Sequence, residues 1–83
     1  MTALVDTYME KTGDGARPLS HLSVRECESG FAVEEVVGEI DTSGERRGTI
    51  VTIASGLSRA EAESRYRKAV EERQQQGFVP ARP

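Results

Sequence analysis

The chain has 83 residues, a mass of 9.1 kDa and a formal net charge of −3, from 11 basic and 14 acidic side chains. A domain this small buries only about 60% of the surface of its unfolded chain, so its core is thin and a deep substrate cavity is disfavoured. The apolar runs are too short for a transmembrane helix, and the first residues lack the basic start and apolar stretch of a signal peptide. We therefore expect a cytoplasmic protein.

The chemistry open to the chain is limited by its single cysteine, Cys27, and its single histidine, His21. One cysteine forms no disulfide within the chain, and with one histidine beside it a protein metal site is not expected. No nucleophile, base and orienting group stand out together in the sequence. We therefore expect no enzyme activity, no metal and no cofactor.

Residues 1–18 are predicted to be a segment outside the main domain. Within residues 1–12, apolar side chains four positions apart, such as Leu4 and Tyr8, favour a short helix. The glycines and the proline of residues 12–18 indicate a loop or linker.

Residues 19–78 are predicted to form one β-β-β-α domain. Alternating apolar and polar side chains favour a strand at about 20–28, and Gly30 suits a tight turn into an antiparallel strand at 31–40. The polar stretch 41–48 is typical of a hairpin loop.

The second predicted strand changes phase along its length. Phe31 and Val33 lie on one face, whereas Val36 and Ile40 lie on the other. A β-bulge between the two pairs would return all four side chains to one face. The alternative is a strand that is apolar on both faces.

The third predicted strand, residues 49–54, has the strongest β character in the chain. Ile50 points to one face, and Val51 and Ile53 point to the other. A strand with apolar residues on both faces is typical of the centre of a sheet or of a sheet covered on both sides. We therefore expect a central or covered position for this strand.

The last predicted element is a helix from Ser58 to about Gln76. Ser58 and Glu61 have the spacing of a capping box, and Gly77 is placed to end the helix in a left-handed cap. Residues 79–83 are predicted to be a loose tail. The apolar stripe of the helix comprises Ala62, Tyr66, Ala69 and Val70.

The predicted architecture is therefore α+β: a three-stranded antiparallel meander with the C-terminal helix packed on one face. The narrow helix stripe covers only one face of the sheet, so apolar residues of the second and third strands are left over. They need the N-terminal segment, a second copy of the chain or a partner to cover them, unless the bulge turns them inward. The predicted core comprises Leu22, Val24, Phe31, Val33, Val51, Ile53, Leu57, Tyr66, Ala69, Val70 and Phe78.

This apolar surplus, together with an acidic belt, predicts a non-enzymatic protein-interaction module. Residues 20–56 carry three positive and seven negative charges. The belt comprises Glu26, Glu28, Glu34, Glu35, Glu39 and Asp41, and such a patch suits a basic protein surface. The expected role is that of a small regulator or inhibitor of the phage or mobile-element type, which docks on a larger protein or on itself as a homodimer. No membrane or small-molecule substrate is expected. The predicted partner-binding residues are Glu34, Glu35, Val36, Ile50, Arg46 and Arg47.

The alternative hypothesis is nucleic-acid binding. It would use Arg46 and Arg47 at the hairpin tip together with the basic side of the last helix. The chain has no overall basic excess, which generic nucleic-acid binders usually show.

Overall fold

A computed structural model describes residues 3–13 and 15–81 of the chain. Its strands form one antiparallel sheet in the order β4-β3-β2-β1-β5, with the helix packed on one face. The α+β class is confirmed, but the sheet has five strands rather than three. The elements are β1 (Ala3–Glu10), β2 (Arg17–Cys27), β3 (Gly30–Ile40), β4 (Arg46–Leu57), α1 (Arg59–Gln75) and β5 (Val79–Pro80).

Strand β1 takes the place of the predicted N-terminal helix, which was wrong. It pairs with β2, so that Thr7 lies opposite Leu22 and Met9 lies opposite Ser20. Met9 is completely buried in the core. A short isolated helix is marginal in water, whereas a strand at this position gains a full ladder of hydrogen bonds and buries Met9. Residues 1–2 of the predicted helix lie outside the described residues.

Strand β5 is formed by residues predicted to be a loose tail. Val79 and Pro80 pair with Glu10 and Met9 of β1, and Ala81 donates a backbone hydrogen bond to the carbonyl of Tyr8 at 2.9 Å. The chain after α1 is therefore held against the β1 side of the sheet. Residues 82–83 of the predicted tail lie outside the described residues.

Strand β3 is apolar on both faces and contains no bulge of its own. Val33 lies opposite Val24 on the face that packs against α1, whereas Val36 lies opposite His21 on the other face. The two register shifts between β3 and β4 each place an extra residue in β4, between Thr52 and Leu57. The bulged-β3 alternative is thus excluded, and β4 is the strand that bends.

Strand β4 lies at the edge of the sheet, so the prediction of a central or covered position was wrong. It pairs with β3, and no described strand pairs with its other side. Strands β1 and β5 extend the sheet on the side of β2, which is the side away from β4. Val51 and Ile53, predicted to be core residues, are consequently exposed.

Helix α1 agrees with the prediction at both ends. The N–H of Glu61 donates to Ser58 Oγ at 3.2 Å, and the N–H of Ser58 donates to Glu61 Oε1 at 3.0 Å, which completes the capping box. Gly77 takes a φ of 103°, and the N–H of Phe78 donates to the carbonyl of Arg73 at 3.1 Å. Among the described residues, no helix has the length and apolar character needed to cross a membrane.

The main core lies between α1 and the sheet. It confirms most of the residues predicted from the sequence and adds Met9 and Ala62. The buried members are Met9, Leu22, Val24, Val33, Ala62, Tyr66 and Ala69, with Phe31, Leu57, Val70 and Phe78 packed at the margin.

Replacing Met9 with alanine tests whether β1 belongs to this core. Because Met9 is completely buried, we expect Met9→Ala to lower the free energy of unfolding by about 3 kcal/mol. Leu4→Ala is the matched control on the same strand, and its exposed side chain should cost less than about 0.5 kcal/mol. Urea unfolding followed by circular dichroism measures both. Equal, small effects of the two variants would contradict the position of β1.

Candidate interaction surface

Four exposed apolar side chains lie on β4 and on the neighbouring strand β3. The exposed fractions are 64% for Ile50, 45% for Val51, 37% for Ile53 and 46% for Val37. We call these four residues the β4 patch. Three other exposed apolar residues lie at the opposite edge of the sheet, on β1 and β5: Leu4, Val5 and Val79.

The β4 patch occupies both faces of the sheet. Ile50 lies opposite Val36, on the face without a helix, whereas Val51 lies opposite Glu35, on the face that carries α1. Because successive side chains of a strand point to opposite faces, no body that sits on one face alone would cover both Ile50 and Val51. A partner that covers both must lie beyond the edge of β4.

The N-terminal half of β4 has an unprotected edge. Residues 46–52 run in regular register with residues 40–34 of β3. Natural edge strands are usually blunted by charged side chains, by proline or by bulges. In β4 the two arginines stand at the start of the strand, and the bulges follow Thr52. The stretch from Gly48 to Thr52 therefore carries none of these protecting features.

Arg46 and Arg47, which were predicted to lie at a hairpin tip, are instead the first two residues of β4, and their side chains are held apart. Arg46 lies over the ring of Tyr8, with its guanidinium carbon 5.2 Å from the ring centroid. Arg47 forms an exposed ion pair with Glu45 at 3.6 Å. As neighbours in a strand, the two side chains point to opposite faces of the sheet. The structure therefore does not combine them into one cationic site.

The loop before the arginines, residues 41–45, is ordered by Asp41. Its carboxylate accepts hydrogen bonds from the N–H and the hydroxyl of Ser43 and from the N–H of Glu45. The Ser43 hydroxyl, followed by the Glu45 backbone bond, lowers the pKa of Asp41 below its ordinary value. The N–H of Gly44 also donates to the Asp41 carbonyl at 3.0 Å. This turn fixes where β4 starts.

The predicted acidic belt is divided between the two faces of the sheet. Glu34 lies on the face without a helix and forms an ion pair with Arg25 at 3.3 Å. Glu35, with only 4% of its surface exposed, lies beneath α1. The assignment of Glu35 to an exposed docking surface was therefore wrong, because adjacent strand residues cannot share a face.

Glu35 is instead the partner of Arg73 from α1. Arg73 Nε donates to Glu35 Oε2 at 2.8 Å and Arg73 Nη2 donates to Oε1 at 2.7 Å, a bidentate pair. The Ser20 hydroxyl donates to Oε2 at 2.6 Å. The Arg73 guanidinium holds the pKa of Glu35 below its ordinary value against the opposing effect of burial. This contact pins the last turns of α1 onto β2 and β3.

The face without a helix is covered at one end by its own side chains. Tyr8, Leu19 and Ile40 are buried there, with Val36 at the margin. The Tyr8 hydroxyl donates to Glu10 Oε2 at 2.9 Å, and burial, followed by this bond, raises the pKa of Tyr8. Of the apolar surplus predicted for this face, Ile40 is thus covered and Ile50 is not.

The same face carries His21, the single histidine of the chain. His21 Nε2 lies 2.6 Å from Asp6 Oδ2, and both side chains are partly exposed. Within the described residues, no hydrogen bond joins Ser23 to His21, and no group of three His, Cys, Asp or Glu side chains is placed to hold a metal ion.

No protein-family model matches this chain, and comparison with curated proteins and with solved structures gave no match either.

The Glu35–Arg73 pair predicts a specific pH dependence of stability. Because the folded-state pKa of Glu35 is lowered, its contribution is complete above the ordinary glutamate pKa and is lost as the pH falls through the folded-state value. Glu35→Gln should therefore be less stable than the natural chain at pH 7, and this difference should shrink steadily as the solution is acidified. Urea unfolding at a series of pH values measures it.

The matched control for this series is Glu26→Gln on the neighbouring strand β2, where the side chain is exposed. It should leave both the stability at pH 7 and its pH dependence nearly unchanged. A gap between Glu35→Gln and the natural chain that is the same at every pH would contradict the assigned role of the carboxylate.

Proposed function

We propose that this chain is a non-enzymatic protein-interaction module that docks through the open edge of β4. The observation that carries the proposal is the position of β4. It is the strand with the strongest β character, it is apolar on both faces, and its outer side pairs with no described strand. Such an edge can accept an additional strand from another polypeptide.

Strand addition fits the chemistry of this edge. In that mode the free backbone groups of the edge supply hydrogen bonds, and pockets for alternate side chains supply specificity. Here Ile50 presents an apolar surface above the sheet plane and Val51 presents one below it. The sequence-predicted residues Val36, Ile50 and Arg47 belong to this surface or border it. Arg46 borders it on the face without a helix, where its guanidinium lies over the Tyr8 ring.

The proposal also includes that the chain has no catalytic function. His21 and Asp6 lie on an exposed part of the sheet face, where water screens their charges. The carboxylate with the lowest exposure, Glu35, is occupied by Arg73. Neither arrangement resembles a nucleophile and base held together by a third orienting group.

Nucleic-acid binding has less support from the geometry. Arg46 is stacked on Tyr8 and Arg47 faces Glu45. On α1, basic residues alternate with acidic ones, and the Arg59–Glu63 pair at 3.2 Å is one example. A gel shift with duplex DNA or RNA at low salt is the direct test, since the electrostatic contribution to binding is largest there.

Photo-crosslinking tests the proposed docking edge in the cells that naturally produce this protein. A benzoylphenylalanine placed at position 50 extends from the β4 patch, and the same residue placed at position 67 extends from the outer surface of α1, where Arg67 is exposed. We expect irradiation to give a defined protein adduct from position 50 and none from position 67. No adduct from position 50, or equal adducts from both positions, would contradict the proposal.

A further inference from the structure

We propose that the strand accepted by β4 is β4 of a second copy of this chain. The two edges would pair antiparallel about a two-fold axis, so that two five-stranded sheets become one sheet of ten strands. This inference rests on the proposed function, because it names the partner of the same edge.

The pattern of exposure on β4 favours a second copy over a partner with a single apolar patch. Ile50 is exposed on one face, and Val51 and Ile53 are exposed on the other. An added strand that carries apolar side chains on both faces would cover both Ile50 and Val51. Strand β4 has this composition, and pairing with a copy of itself would cover Ile50 and Val51 of both chains in the same step.

The stretch of β4 without bulges limits the register in which two copies can pair. Antiparallel pairing about a two-fold axis puts side chains of the same face opposite each other, so the axis passes midway between the two copies of one residue. Centring it on Thr49 uses the whole regular stretch from Arg46 to Thr52 and leaves the bulges outside. Gly48 then lies opposite Ile50 of the second copy. The Val36 side chain lies over Gly48, where an added Cβ would come within 2.7 Å of Val36 Cγ1, so that isoleucine would meet an apolar neighbour.

The charges on β4 favour the antiparallel direction. Arg46 and Arg47 stand at one end of the strand, and no acidic residue follows them in it. Parallel pairing would place the arginines of the two copies side by side, and like charges directly opposite are destabilising. Antiparallel pairing places Arg46 opposite Thr52 of the second copy, whose own neighbour on β3 is Glu34. The arginines of the two copies would thus lie at opposite ends of the seam, two strands away from Glu34 of the other copy.

The helices do not obstruct this arrangement. Helix α1 packs over β2 and β3 more than over β4, so both helices lie on the same side of the joined sheet, set back from the seam. If each helix lies above β3, three strand spacings separate their axes, about 14 Å. That exceeds the helix diameter of about 10–12 Å with side chains.

The side chains that line the gap between the two helices are suited to covering the seam of such a dimer. The groove between β4 and α1 has Ile53 and Ala69 at its base and Arg65, Lys68 and Glu72 among its rim residues. In the two-fold arrangement the long rim side chains of both copies would lie over Val51 and Ile53, which are otherwise exposed.

The solution mass of the purified chain tests the inference. Size-exclusion chromatography with light scattering should give a mass twice the chain mass of 9.1 kDa at micromolar concentration. Ile50→Lys and Val51→Lys, one on each face of β4, should each raise the dimer dissociation constant by at least about tenfold. Both positions are exposed in the single chain, so each variant should keep the circular dichroism spectrum of the natural chain.

Leu4→Lys is the matched control, because Leu4 is exposed at the opposite edge of the sheet. It should remain dimeric. A dimer lost in Leu4→Lys and kept in both β4 variants would contradict both the inference and the proposed function. A natural chain that stays at 9.1 kDa, together with a position-50 adduct to a different protein, would overturn the inference alone.

A cysteine at the proposed axis tests the register. In Cys27→Ser/Thr49→Cys, the new thiol would face its own copy at the close Cβ separation of cross-strand pairs. Oxidation should give a covalent dimer rapidly, whereas Cys27→Ser/Thr12→Cys, with the thiol in the exposed loop after β1, should give little. Equal crosslinking of the two variants would contradict pairing through β4.

Discussion

In the described part of the chain, one helix has to cover a sheet of five strands, and most of the surface properties of this molecule follow from that mismatch. Five strands spaced about 4.8 Å apart span roughly 19 Å, whereas one helix with its side chains is about 10–12 Å wide. Helix α1 is held by the bidentate contact between Arg73 and Glu35 of β3 and by the hydrogen bond between Tyr66 and Thr7 of β1. Strand β4 is therefore left at the margin of the covered area.

The other face of the sheet is also incompletely covered, but for a different reason. It has no helix, and its apolar residues gather at the end where Tyr8, Leu19 and Ile40 pack together and Arg46 lies over the Tyr8 ring. This cluster does not extend to Ile50. Both faces of the sheet are thus left uncovered at the same strand, β4. This strand is also the one whose outer edge pairs with no described strand. An added strand that is apolar on both faces would cover exposed residues on both faces and also pair with the outer edge of β4.

Sequence reasoning located the elements whose signals are local. The capping box of Ser58 and Glu61, the left-handed Gly77 and the turn at Gly30 each depend on residues within a few positions of one another, and all are present. The N-terminal strand was missed because apolar residues four apart satisfy a helix and a strand equally well within so short a segment. What decided its conformation was pairing with β2, from Leu19 opposite Glu10 to Arg25 opposite Ala3, and this pairing is not visible within the segment itself.

The site was harder to predict, for a related reason. Glu34 and Glu35 look like one acidic feature in the sequence, but the partner of Glu35 is Arg73, which is 38 residues away, and neither the strand order nor this pairing has a local signal. Strand β4 looked central because Ile50, Val51 and Ile53 make it apolar on both faces. That composition is equally suited to a strand whose second neighbour belongs to another chain.

Amide hydrogen exchange, resolved by residue and measured over a range of protein concentrations, tests the central claim most directly. If β4 pairs with β4 of a second copy, the outward-facing amides between Arg47 and Thr52 should become more protected as concentration rises, while the amides of β1 between Val5 and Tyr8 should not change. Protection of β4 that is the same at every concentration, or that rises at β1 instead, would contradict the account.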